Sequence, residues 1–192
     1  MLLTNRLIIR KFNINDLEAL FSILSDKDVN KYLPWFPFEN LEYTKKHLEN
    51  FYLNTNNIRT FYRYAVCLKE NNIPIGYIHF ENNNDNNDFG YALKEEYWNR
   101  GIITEASKRV IEELKKDNVK YITATHDINN IASDEVMKKI GMIYKYSYEE
   151  LWQPKNFLVI FRMYQLNLDE NNERVYKGYS SKYINCFIEN IF

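Results

Sequence analysis

Trp98-Asn99-Arg100-Gly101-Ile102-Ile103-Thr104-Glu105-Ala106 joins two unlike neighbours. Before it runs Phe89-Gly90-Tyr91-Ala92-Leu93, short, apolar and strand-like. After it Ile103, Ala106, Val110 and Leu114 recur at helical spacing, with Glu105, Lys108, Arg109, Glu112 and Lys115 on the opposite face. A tight loop that opens a helix leaves backbone N–H groups unpaired at the positive end of the helix dipole. Phosphate groups bind well there. Gly101 lets the backbone come close to an anion, and Arg100 adds a fixed charge beside it. The stretch fits a pyrophosphate cradle, and equally an ordinary strand-to-helix turn with one glycine.

A second element lies downstream. The β-like run Tyr121-Ile122-Thr123-Ala124-Thr125 precedes a helical stretch from Asn130 to Ile140. Asn130 suits its N-cap, Lys138 and Lys139 suit its negative end, and Gly141 suits the left-handed closing position. Spacing places Ala132, Val136 and Ile140 on its inward face. The order is strand, phosphate loop, helix, strand, Asn-capped helix, Gly, strand.

This order resembles the GNAT N-acetyltransferases, and among them the RimJ/RimL-like branch that includes ribosomal-protein N-terminal acetyltransferases. Thr4 to Arg10, running on to Lys31-Tyr32-Leu33-Pro34-Trp35, is similar to that branch's opening strand and first helix. Gly90 to Leu93 followed by Tyr97 to Ala106 is similar to its acetyl-CoA motif, and Asn130 through Met142 to its second cofactor-side helix. The resemblance implies an α/β fold of the α+β type. Its central sheet is mixed, mostly antiparallel and seven-stranded, with helices on both faces, and is splayed between its fourth and fifth strands.

The same resemblance implies acetyl-CoA as co-substrate. Its pantetheine arm would pair with strand backbone around Tyr91, Ala92 and Leu93. Its pyrophosphate would rest on Asn99, Arg100, Gly101, Ile102, Ile103 and Thr104. Asn130 would hydrogen-bond the pantetheine or the nearby chain, and Ser133 would donate a proton or hydrogen bond to the departing thiolate. The pattern departs in places: Trp98 and Ile103 replace the usual Gln or Arg and Gly or Ala of the loop. Met137 stands where many members carry a Tyr acid, and a thioether has no proton to give.

Acetyl transfer also needs a neutral amine, so a base is expected. Glu150 is the leading candidate, sharing a strand face with Tyr148 and Trp152 by alternation. Asp88 and His126 are rivals, the latter titrating near neutrality, whereas His79 reads as a core or surface histidine. Trp35 and Phe36, in the aromatic connection Tyr32 to Phe38, are expected to wall the acceptor together with His126; the connection also reads as a plug sealing the core. The acceptor is a primary amine, either a protein N-terminus or a small molecule. A non-catalytic acetyl-CoA or CoA sensor or scaffold is the alternative that Met137 keeps open.

The 192 residues suffice for one domain with a real core. A 45% hydrophobic and 16% aromatic content suits a folded chain. A net charge of −1 leaves no electrostatic footprint for nucleic acid. No run reads as a membrane span or a signal-peptide core. Cys67 and Cys186 fit reduced thiols, hence a cytoplasmic protein. Asn82 to Asp88 reads as an exposed loop without the spacing of a calcium site, and no metal is expected.

Leu7-Ile8-Ile9 reads as the first strand, with helix faces at Leu17, Leu20, Phe21, Leu24 and at Leu41, His47, Leu48, Phe51, Tyr52. Phe61–Leu68 and Ile73–Phe80 read as a hairpin turning at Asn71-Asn72. Met142–Trp152 and Phe157–Leu168 read as a final antiparallel pair. The acetyltransferase domain is thus expected over residues 1–168. Residues 169–192 form an extension expected to be helical on the stripe Val175, Tyr179, Tyr183, Phe187, Ile191. It would pack on its own domain or on a second copy, leaving monomer and homodimer open.

Overall fold

Strand β2 (Leu7–Arg10) buries Leu7 and Ile9 while Ile8 and Arg10 are half-covered, as a sheet packed unequally on its two faces requires. It opens an antiparallel meander with β3 (Phe61–Leu68), β4 (Pro74–Glu81) and β5 (Asp88–Leu93). Asn72, at φ +55°, makes the β3–β4 turn. Beyond it β6 (Tyr121–Asp127) pairs with β8 (Phe157–Asn167), and β8 with β7 (Ile143–Trp152), all antiparallel. This computed structural model describes residues 1–54, 61–82 and 86–190. Asn83, Asn84 and Asp85 of the Asn/Asp loop, and Ile191 of the extension, lie outside the described residues.

The fold is the expected mixed, mostly antiparallel sheet between helices. Seven strands become nine among the described residues, because β1 (Leu2–Leu3) and β9 (Cys186–Phe187) add short edges; the sheet order is β1-β2-β3-β4-β5-β6-β8-β7-β9. Two residues carry too little alternation to be read from sequence. The parallel contact between β5 and β6 is a single register pair, Asp88 with Thr123. Past it the strands diverge, and the sheet opens into a V.

Two helical layers cover the faces. On one, α3 (Ile102–Lys116) buries Ile102, Ile103, Ala106, Val110, Ile111 and Leu114 against the sheet. Each large aliphatic side chain there contributes about 1.5–3 kcal/mol of burial. On the other, α1 (Leu17–Leu24) and α2 (Leu41–His47) enclose Leu20, Ile23, Leu24 and Leu48 with Ala65, Cys67 and Tyr77. Among the described residues no helix is long and apolar enough to cross a membrane.

Two expectations need correction. In α4 (Ile131–Lys139) the buried side chains are Asp134 and Met137, followed by Ile140, while Ala132 is exposed and Val136 half-buried. A buried acid rotates the face away from its apolar spacing: Asp134 accepts from Lys138 at 2.6 Å and from Tyr164 at 2.5 Å. The extension is also not one long helix. Among its described residues only Gly178–Lys182 forms a helical turn, α5, and Phe187 lies in β9 opposite Ser147. Val175, Tyr179 and Tyr183 pack on the cluster of Tyr146, Tyr148, Trp152 and Phe161; the helical spacing holds for Tyr179 and Tyr183, one turn apart across α5, and stops there.

Candidate active site

The loop before α3 is built for an anion. Asn99 and Gly101 both adopt left-handed backbone, at φ +59° and +67°, which folds the chain back into the helix start. A Cβ on Gly101 would meet nothing nearer than Arg6 Nη2 at 3.9 Å, so the backbone conformation, not crowding, calls for glycine. No side chain caps α3, which leaves its leading N–H groups facing outward. Arg6 braces the loop, donating to Arg100 O at 2.9 Å and to Glu105 Oε2 at 2.7 Å. Trp98 anchors its other end, with the indole N–H donating to Leu93 O at 2.7 Å.

One cavity of about 920 Å³ runs from this loop through the V. Asn99, Gly101, Ile102, Ile103 and Thr104 line it, as do Tyr91, Ala92 and Leu93 of β5. Arg100 does not; its guanidinium lies 5.8 Å over the Tyr97 ring. Asn130 lines the cavity but commits its Oδ1 to the N-cap, accepting from Ser133 N at 3.1 Å. Ser133 Oγ lies 3.0 Å from Tyr91 OH, and Tyr91 OH also donates to Ser133 O. Burial raises the Tyr91 phenol well above its ordinary value, against the opposing Ser133 bond, so this pair stays protonated at neutral pH.

Past the V the cavity widens against the other sheet face. Tyr148, Glu150 and Trp152 share one side of β7, as alternation requires, and all three line it. Opposite stand Trp35 and its neighbours Tyr32, Leu33 and Pro34. Trp35 both walls the cavity and packs on the core, its Nε1 donating to Asn30 Oδ1 at 2.9 Å. Phe36 is 59% exposed and does not reach the cavity, because the connection turns it outward.

His126 is buried and lines the cavity. Its Nδ1 is 2.8 Å from Asp127 O, and burial holds its pKa down despite that bond and the nearby Asp134. Sequence reading missed His79, whose Nε2 lies 3.7 Å from Asp88 Oδ2 within the cavity. It also missed the Tyr77 hydroxyl, a buried cavity-lining group with no hydrogen-bond partner among the described residues. Strand alternation from Tyr77 to His79 was the available signal.

The acetyltransferase (GNAT) domain family matches residues 6–143. The chain belongs to the GNAT acetyltransferase family. The N-acetyltransferase YnaD of Bacillus subtilis (strain 168), itself uncharacterized, is 33% identical over 142 residues, 72% of this chain and 80% of that protein. The crystal structure of a GNAT-family acetyltransferase from Bacillus anthracis superposes with a TM-score of 0.77 at 28% identity, covering 88% of this chain and 99% of that one. RimL, a ribosomal L7/L12 α-N-protein acetyltransferase solved with coenzyme A, shares the fold at a TM-score of 0.74 and 19% identity, covering 88% and 97%.

This GNAT chain is an acetyl-CoA-dependent acyltransferase, and its residues fit that co-substrate. The diphosphate of acetyl-CoA matches the uncapped α3 N-terminus, whose loop is held in shape by Arg6 paired with Glu105. An extended amide arm matches the V between β5 and β6, whose register pairing is confined to Asp88 and Thr123.

Proposed function

We propose that this protein acetylates a primary amine by direct attack within a ternary complex. The observation that carries the reading is the continuous cavity joining the α3 N-terminus to Glu150 through the V. Asn99 to Thr104 hold the diphosphate, Tyr91 to Leu93 and Asn130 border the arm, and acetyl-CoA when bound supplies the activated thioester. Glu150 takes a proton from the incoming ammonium and passes it to solvent, which frees the nitrogen lone pair to bond to the thioester carbonyl carbon; the nitrogen of the resulting adduct, now positively charged, gives its second proton to Glu150. As the C–S bond breaks, Ser133 Oγ, held in place by Tyr91 OH 3.0 Å away, gives its proton to the departing sulfur. Water carries the proton from Glu150 back to Ser133. Two free cysteines, Cys67 and Cys186, are consistent with the cytoplasm, where we place the reaction.

The test is calorimetric titration with acetyl-CoA beside Gly101→Glu, followed by thiol release with added amines. Micromolar binding lost in the variant is expected, and Glu150→Gln should lower kcat by about 10²-fold or more. A folded wild-type chain that binds no acetyl-CoA overturns the reading. Tight binding without amine-stimulated thiol release favours the sensor reading, for which Met137 in the cavity wall is the supporting feature.

A further inference from the structure

Segment 169–192 lies outside the matched family region, yet Tyr179, Lys182 and Tyr183 line the cavity. They meet it on the face that carries Glu150, Asp88 and Tyr77, away from the α3 loop. Tyr179 and Tyr183 stack on Tyr148 with centroids 5.1 and 4.8 Å away and planes within 9° of parallel. Lys182 sets its ammonium 4.6 Å over the Tyr183 ring and 2.7 Å from its hydroxyl. Behind the lining residues Trp152 and Tyr32, Lys155 sets its ammonium 5.4 Å over the Trp152 ring. It donates to Asn30 O at 3.2 Å and Lys31 O at 3.0 Å, tying the β7–β8 turn to the chain that leads into Tyr32 and Trp35.

We propose that this segment completes the acceptor site, making a chamber for a compact primary amine with one ammonium and shutting out polypeptide N-termini. The inference rests on the acetyltransferase reading and names its acceptor. Among the described residues the cavity lining carries three carboxylates, Asp88, Glu135 and Glu150, and two ammonium groups, Lys139 and Lys182. Glu135 and Lys139 pair with each other at 3.6 Å, which leaves Asp88, with the His79 imidazole 3.7 Å away, and Glu150 against Lys182. One further positive charge balances them. Tyrosine walls exclude water, which disfavours the charged ammonium and eases its deprotonation. The Tyr77 hydroxyl, unpartnered among the described residues, offers a hydrogen-bond partner for a polar group of the acceptor. A polypeptide carries its N-terminus on a chain that must leave the chamber, and the Lys155 tie together with α5 stands across that exit.

Thiol release is measured with benzylamine, 1,4-diaminobutane, spermidine and a seven-residue Ser-initiated peptide, in wild type, Lys182→Gln and Tyr183→Phe. Wild type should favour benzylamine over the peptide by about tenfold or more in kcat/KM. Lys182→Gln leaves the carboxylates unbalanced and should shift the diamine-to-monoamine ratio about tenfold toward the diamine, with the acetyl-CoA Kd unchanged. Tyr183→Phe keeps the stack but frees Lys182 from its hydroxyl partner, and should shift the ratio in the same direction by a smaller factor; thermal melts of all three proteins serve as the folding control. Preference for the peptide, no stimulation by any amine, or an unmoved ratio in Lys182→Gln overturns the inference. Failure of acetyl-CoA to bind wild type is a separate result and overturns the acetyltransferase reading itself.

Discussion

Five asparagines, Asn72, Asn87, Asn99, Asn118 and Asn156, hold positive φ between +50° and +59°. The chain has only five glycines, and among the described residues every non-glycine at positive φ is one of these asparagines. The short polar side chain tolerates left-handed backbone at lower cost than any other L-residue, so the asparagine richness has a structural use that composition alone did not disclose. Gly90 has a different reason to be glycine: a Cβ there would lie 2.3 Å from Cε1 and Nε2 of His79, its register partner. Gly90→Ala should push the imidazole away from Asp88, with about 1–3 kcal/mol lost to overpacking. Denaturant melts and acceptor kinetics check this, the expected outcome being a larger fall in kcat/KM for the amine than in acetyl-CoA affinity. Equal losses in both would place His79 outside the acceptor chamber. Alternation from Tyr77 puts His79 on the cavity face, but its place opposite Gly90 and near Asp88 depends on the β4–β5 register, which no local pattern encodes.

Helix ends were the most legible elements. The Asn130 cap and the Gly141 closure of α4 follow from rules that act within a single turn, and both are present, Gly141 at φ +92°. The inward face of α4 was misread because Asp134, Tyr164 and Lys138 form a polar network whose members come from separate elements. Trp98 reads in sequence as a departure from the loop pattern; in the fold it is the bond that fixes the loop to β5. At the element scale α2 carries a pH liability. His47 stacks on Phe51 at 5.1 Å, and burial, aided by Arg63, lowers its pKa from 6.5 to about 4. Between those values the unfolded chain binds a proton that the folded chain refuses, so stability falls as pH falls. From pH 7 to pH 5 the loss from His47 should be about 1–2 kcal/mol, allowing for its partial exposure. His126, held down by its own burial, adds with the same sign. Thermal melts of wild type and His47→Gln at both pH values test it, the variant keeping more of its stability on acidification. Parallel curves would remove His47 from the account.

At the scale of the whole molecule, helices, hairpin and splay were readable because each rests on a period or a motif. The extension was not: Tyr179 and Tyr183 find their purpose on Tyr148, about thirty residues upstream, and α5 is too short to announce itself. The β1–β5 meander and the β6–β9 arm meet in the sheet through a single pair, so a ligand seated in the V contacts both. Acetyl-CoA at one hundred times its Kd should stabilise the fold by about 2.7 kcal/mol, a rise in Tm of roughly 5–10 °C for a chain of this size. Hydrogen exchange should slow along β5 and β6 together; protection of one arm alone would contradict the bridging role. The open V also gives the molecule an internal sheet edge. Such an edge ordinarily recruits another chain and seeds aggregation. Here it is recessed behind Trp35, Tyr148 and α4, and its terminal carbonyl, Leu93 O, is stoppered by the Trp98 indole. The edge between the two arms is thereby shielded by the molecule's own side chains from pairing with a neighbouring strand.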